Sequence, residues 1–179
     1  WSIINGDTRF ILNLFRYDEL ADSPNVFKNT MFEITPFDTI RTLQYKNLIC
    51  AKMLLSDLIT AYSKQHIPLC TDTKDPDFLY SKRTPSDGKI NFTSKTREIY
   101  NLIRGTTKPF PGAYAYCNTE KVLIWSACPF DQIINFSSYA PGCIIDIYDN
   151  HPIIRTIDGS LIITDYESSH QLLVGEILN

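Results

Sequence analysis

The last third of the chain is cut into short apolar segments by turn residues. They run Ala113 to Tyr116, Val122 to Ala127, Gly142 to Tyr148, Pro152 to Thr156, Ser160 to Tyr166 and Gly175 to Leu178. Segments of this length, at these intervals, are too short for packed helices and read as strands. Asp158-Gly159 supplies a hairpin turn between two of them. Six such strands predict a small all-β barrel. Ahead of them, Thr84-Pro85-Ser86-Asp87-Gly88 predicts a turn and Ile90 to Phe92 a short strand. A helix capped by Thr93 or Ser94 is expected to run through Arg104, with Gly105 as its left-handed stop.

The first third reads differently. Two apolar runs, Phe10 to Phe15 and Thr30 to Ile34, suit strands of a buried sheet. From Asp38 to Tyr62, apolar residues at Ile40, Leu43, Leu48, Ala51, Leu54, Leu55, Leu58 and Ile59 follow a helical period, as for a helix lying on a sheet, with Asp38 as N-cap. Residues 66–80 are polar and hold Pro68 and Pro76, which predicts a linker. The expected organisation is α/β: residues 1–65 form the back part of one domain, 66–80 the linker, and 81–179 a helix plus β-barrel domain. Strands that begin so soon after Trp1, with no preceding glycine-rich turn or helix, predict that the first half of that domain lies elsewhere.

No run approaches the roughly 18 apolar residues of a membrane-spanning helix, since Leu48 to Tyr62 is interrupted by Lys52, Ser56 and Asp57. Five scattered cysteines with no C-x-x-C pair read as reduced thiols of a cytoplasmic protein. The formal charge of −3 hides a gradient. Residues 120–179 hold two basic and eight acidic residues, a net −6. A nucleic-acid module needs the opposite sign.

No P-loop, G-x-S-x-G, H-E-x-x-H or metal-spaced cluster is present, so no metal ligands are expected. His66, His151 and His170 lie far apart and read as solvated or structural histidines. The acidic turn Asp18-Glu19-Leu20-Ala21-Asp22 follows a strand, where open α/β sheets place ligand and catalytic groups, although an ordinary solvated loop fits the same residues. Phe110 and Tyr114 read as packing beneath a stiff turn, and Trp125 as core rather than a stacking platform.

Several blocks together resemble the formyltetrahydrofolate-dependent formyltransferases. They are Trp1-Ser2-Ile3-Ile4-Asn5-Gly6-Asp7-Thr8, the acidic turn 18–22, and Arg83-Thr84-Pro85-Ser86-Asp87-Gly88-Lys89-Ile90. Glu98 to Arg104, Pro109-Phe110-Pro111-Gly112-Ala113-Tyr114, Pro141-Gly142-Cys143-Ile144-Ile145 and Asp158-Gly159-Ser160-Leu161 continue the match. The resemblance implies a Rossmann-like catalytic core followed by an OB-like barrel, with 10-formyltetrahydrofolate as formyl donor. Within it, Asp22 matches the family's catalytic aspartate. Its carboxylate would orient and raise the pKa of a histidine that, like the family's oxyanion-stabilising asparagine, is not among these 179 residues. Asp18, Glu19, Leu20, Ala21 and Asp22 match the loop lining the folate pocket. Where the family carries a glycine two residues after the aspartate, this chain has Pro24, which fixes φ and removes an amide donor.

Residues 81–179 carry nine basic and ten acidic residues and the strand region alone is at −6, which among the family's substrates favours a sugar nucleotide over tRNA. The expected acceptor is a dTDP- or UDP-linked 4-amino sugar. Arg83 and Arg104 are candidates to pair with its diphosphate, and salt bridges or packing within the second domain account for them equally. The resemblance also implies a homodimer through the second domain and a missing N-terminal catalytic portion as partner; the charge pattern and the lack of a long apolar run predict neither nucleic acid nor membrane as partner. A methionyl-tRNA formyltransferase fragment and a non-catalytic dimerisation module are the alternatives.

Overall fold

The runs around Phe10 and Met31 pair with each other. In the computed structural model, which describes residues 1–15, 25–65, 71–72 and 80–179, a four-residue helix α1 (Ser2–Asn5) precedes β1 (Arg9–Phe15) and β2 (Asn25–Glu33). The two strands are antiparallel, in register from Arg9↔Glu33 to Phe15↔Val26 with one shift at Leu14/Phe15, and β3 (Thr71–Asp72) adds to the far edge of β2. Phe10 and Phe32 stack on one face with ring centroids 5.3 Å apart. The sheet is not buried on both sides as expected: β1 alternates, and Ile11 and Met31 are more than half exposed. Period-two alternation of this kind marks a one-sided antiparallel sheet.

The helical stripe forms α2 (Ile40–Ser63). Leu43 and Leu54 are buried, whereas Leu48, Leu55 and Ile59 of the expected stripe are exposed. The helix starts at Ile40, so the position before it is Thr39. Asp38 is buried instead, with its carbonyl bonded to Arg104. Within this region Lys28 Nζ meets Asp57 Oδ2 at 2.7 Å and Lys46 donates to the Glu33 carbonyl. Among the described residues, no helix is long and apolar enough to cross a membrane.

The chain forms two units. One comprises Asp7–Phe37 and Thr42–Ser81; the other gathers Trp1–Gly6, Asp38–Arg41 and Lys82–Asn179. In the latter, a 3-10 turn (Pro85–Gly88) and α3 (Thr96–Thr106) precede β4 (Ala113–Cys117), β5 (Glu120–Asp131), β6 (Ile144–Tyr148), β7 (His151–Arg155) and β8 (Ser160–Glu167). The five strands form one antiparallel sheet in the order β4-β5-β8-β7-β6. Asp149 and Asn150 both take positive φ in the tight β6–β7 turn, a conformation their short polar side chains tolerate. Ile99 and Ile103, one turn apart, press α3 onto the sheet, where Val122, Ile124, Ile154 and Leu161 are almost fully buried. Each such side chain stabilises the fold by roughly 1.5–3 kcal/mol.

The expected sixth strand is not a full strand. Ile177 and Leu178 make single bridges to Cys143 and Cys117, and Asn179 exchanges backbone hydrogen bonds of 2.8 and 2.9 Å with Tyr116. Leu178 N–H donates to the Gly142 carbonyl at 2.9 Å. The C-terminal segment is therefore bonded both to β4, at one edge of the sheet, and to the residues leading into β6, at the other.

Both ends of α3 differ from expectation. Thr93 is occupied with Asn91 Oδ1, through its backbone N–H and its hydroxyl. Lys95 stands at the N-cap, its N–H donating to Glu98 Oε2 at 3.2 Å, and a second carboxylate comes from the β7–β8 loop: Thr96 N–H and Oγ1 both donate to Asp158 Oδ1 at 2.7 Å. Burial pushes the Asp158 carboxyl up, but the hydrogen bonds from Thr96 outweigh it and hold it below the ordinary range. A negative charge here also suits the helix dipole.

Gly105 lies inside the helix, which continues to Thr106. A Cβ on Gly105 would stand 2.7 Å from Ile4 Cγ1 and 3.3 Å from Ile3 Cγ2. The glycine lets α1 pack against α3 rather than ending the helix. Gly→Ala inside an exposed helix gains about 1 kcal/mol. Gly105→Ala should instead lose about 1–2 kcal/mol through overpacking, read as a lowered thermal midpoint. A raised midpoint would show that α1 does not dock there.

Candidate functional site

Asp18, Glu19, Leu20, Ala21 and Asp22 lie outside the described residues, as does His66. The two arginines lie within them and differ in character.

Arg83 is half-buried in the extended segment before the Pro85–Gly88 turn. Its Nη2 donates to the Asp87 carbonyl and its guanidinium lies 5.0 Å over the Trp1 ring. The turn is self-stabilised: Thr84 N–H and Oγ1 donate to Asp87 Oδ2 at 2.5 and 3.0 Å. These two bonds, with a smaller contribution from the Arg83 charge, hold the Asp87 carboxyl below its usual range. Among the described residues Arg83 Nε and Nη1 have no hydrogen-bond acceptor.

Arg104 is 4% exposed. Its Nε donates to Asn101 Oδ1 at 2.9 Å, its Nη1 donates to the Asp38 carbonyl at 2.7 Å, and its guanidinium stands 5.3 Å over the Tyr100 ring. Burial pulls the guanidinium pKa down. An arginine held by two buried acceptors fixes the chain around Asp38 onto α3, which is the packing role.

The turn into the sheet also departs from expectation. Tyr114 is buried, but Phe110 is 45% exposed. Trp125 stands on the outer face of β5, away from buried Val122 and Ile124, because the strand alternates. Lys108 Nζ lies 4.6 Å over its ring, its Nε1 donates to Glu167 Oε1 at 2.9 Å, and Gly112, at φ +87°, leaves room for its edge.

A cluster that the sequence did not disclose lies at the end of the β4–β5 hairpin. Cys117 and Glu120 are paired across that hairpin, and the segment after β8 brings His170 and Glu176 to them. His170 Nδ1 is 2.9 Å from Glu120 Oε2, and Nε2 is 3.6 Å from Glu176 Oε1. Ser169 Oγ also hydrogen-bonds Glu120. The bonds from Ser169 and His170 hold the Glu120 carboxyl low, while burial and then Glu176 push the Cys117 thiol up. About fifty residues separate the two halves, so no local spacing could have announced the group.

This helix and five-stranded antiparallel sheet define a domain class with solved relatives. A family model described as formyl transferase, C-terminal domain, matches residues 82–174, more than half of the chain, and the chain belongs to this formyltransferase family. The bifunctional polymyxin resistance protein ArnA of Wigglesworthia glossinidia brevipalpis is 34% identical over 148 residues, covering 82% of this chain and 22% of ArnA. This chain thus spans less than a quarter of that curated relative. HypX from Aquifex aeolicus in complex with tetrahydrofolic acid superposes with a TM-score of 0.74 at 16% identity, over 95% of this chain and 29% of HypX. The N-formyltransferase from Helicobacter canadensis, solved with folinic acid and dTDP-3-aminofucose, gives 0.68 at 21% identity, over 91% of this chain and 58% of that one. Methionyl-tRNA formyltransferase from Clostridium thermocellum gives 0.61 at 14%, over 97% and 60%. At these identities the three structures speak for the fold.

Proposed function

We propose that this chain is part of an enzyme that transfers the formyl group of 10-formyltetrahydrofolate to the amine of a nucleoside-diphosphate amino sugar. The observation that carries the choice of acceptor is charge: the two basic and eight acidic residues of 120–179 repel a phosphate backbone, whereas a single diphosphate needs only one well-placed guanidinium. Arg83, with guanidinium nitrogens free among the described residues, is the arginine we assign to that diphosphate. Arg104 would have to leave Asn101 and Asp38 to reach one. Family membership and the folate and nucleotide-sugar ligands of the Helicobacter relative support the reading.

In this reading residues 1–65 complete a Rossmann-like catalytic domain, with Asp22 orienting the histidine that manages the amine proton and residues 18–22 lining the folate pocket. The five-stranded sheet, with its C-terminal segment bonded near both edges, serves as the OB-like barrel. A cytosolic homodimer through residues 81–179 is the proposed assembly. The amine is assigned to C4 in this proposal, and the 3-amino sugar bound by the Helicobacter protein is the natural comparison.

The test assays the complete enzyme with 10-formyltetrahydrofolate and dTDP-linked 4-amino and 3-amino sugars, alongside binding of initiator tRNA at moderate salt. Turnover with a nucleotide sugar and no sub-micromolar tRNA affinity is expected. Tight, salt-sensitive tRNA binding without sugar turnover would transfer the chain to the methionyl-tRNA class.

A further inference from the structure

We propose that Cys117, His170 and Glu176 form a three-ligand site for a zinc-like divalent transition-metal ion, with Glu120 holding the His170 imidazole from behind. The inference stands independently of the acceptor assigned above.

Ligand chemistry is the first support. One sulfur, one imidazole nitrogen and one carboxylate oxygen make a borderline-soft set that suits zinc or cobalt and not magnesium or calcium. The three ligand atoms lie within 4.8 Å of one another. With metal–nitrogen and metal–oxygen bonds of about 2.0–2.2 Å, a tetrahedral N···O edge is about 3.3–3.5 Å. His170 Nε2 and Glu176 Oε1 stand at 3.6 Å, too far for a hydrogen bond and close to that edge.

The imidazole is also set in the required tautomer. An ionised carboxylate only accepts, so Nδ1, 2.9 Å from Glu120 Oε2, carries the proton. In the neutral ring this leaves the Nε2 lone pair facing the Glu176 carboxylate. Two electron-rich groups at that distance repel unless a cation lies between them. Carboxylate–imidazole–metal relays have this arrangement, in which the rear carboxylate fixes the ring and raises its basicity. The alternative cation is a second proton on Nε2, which would make His170 an imidazolium between two glutamates. Cys117, 1% exposed, hydrogen-bonds the Glu176 carboxylate through its thiol, and as a thiolate it would supply the third ligand.

The metal would join two parts of the chain far apart in sequence, the β4–β5 hairpin and the segment after β8. Three protein ligands leave a fourth position for water. Cys117 reaches the site from the end of β4, next to the Asn179–Tyr116 backbone pair.

The full chain, stripped with a chelator, is titrated with zinc chloride and, separately, with cobalt chloride. Expected are saturable one-to-one zinc binding, a thermal midpoint that rises with zinc, and a sulfur-to-cobalt charge-transfer band. Cys117→Ser should abolish the band. His170→Ala should weaken zinc binding at least 100-fold, and Glu120→Gln by about 10- to 100-fold. His170 is partly exposed, so His170→Ala keeps the test valid should Cys117→Ser not fold. Cys50→Ser with Cys128→Ser should leave binding unchanged. Absence of one-to-one binding at micromolar zinc, or binding that survives His170→Ala, overturns the proposal in favour of the imidazolium.

Discussion

Replacing Asp22 with asparagine in the complete enzyme should lower formyl turnover at least tenfold while leaving acceptor affinity nearly unchanged. The substitution keeps the shape of the side chain and removes the charge that, in the proposed site, holds the partner histidine in its protonation state. A charge lost beside a titrating imidazole moves its pKa by a unit or more, and each unit is worth ~1.4 kcal/mol. Because the interaction acts mainly in the transition state, kcat falls and KM does not. Steady-state kinetics between about pH 6 and 9 check this. Wild-type turnover across that range would remove Asp22 from the mechanism and turn attention to Asp18 and Glu19, in a segment whose sequence departs from the family at Pro24.

Gly142→Ala is expected to be the most damaging small substitution in the larger unit. Gly142 has φ +88°, and a Cβ there would stand 2.1 Å from the Leu178 carbonyl oxygen and 3.4 Å from Phe92 Cδ2. Left-handed backbone costs a residue with a Cβ about 1–2 kcal/mol. The clash falls on backbone that is itself hydrogen-bonded to Gly142, so relief means pulling the C-terminal segment away, at a further cost of about 1–3 kcal/mol. Gly175 offers the control, with φ +92° and nothing within 4 Å of its would-be Cβ. Gly175→Ala should show the backbone cost alone. Chemical denaturation of both variants separates the two terms, and equal losses would mean that the Leu178 contact contributes nothing.

The reach of sequence reasoning followed the range of the interactions. Strands around Phe10, Thr30, Val122 and Ser160, and the helix near residues 40–63, were legible because alternation and helical period are local. Gly105 was misread as a helix stop because its reason is Ile3 and Ile4, about a hundred residues away. The cap of α3 lies at Lys95, one or two residues past Thr93 and Ser94, and the further support from Asp158 was not legible because it is 62 residues from Thr96. Trp125 was assigned to the core from its residue type, yet its strand phase turns it outward. Of the candidate site, Arg83 and Arg104 are alike in residue type and were named together, and burial separates them: Arg104 is 4% exposed and Arg83 is not buried. The group around His170 was invisible because hairpin and tail supply it jointly. Residues 18–22 lie outside the described residues, so their assignment still rests on resemblance.

The docking of α1 against α3 bears on how this protein can be dissected and how it folds. Ile3 is 2% exposed and packs beside Gly105, although the family match begins only at residue 82. Excising 82–174 as a recombinant domain would uncover the groove that α1 fills and delete the Asn179–Tyr116 pair. A family boundary drawn on sequence is therefore not a folding boundary here. Closing so long a loop carries an entropic cost before any contact rewards it. The unit should assemble its sheet first and admit the α1 turn as a late, reversible docking step.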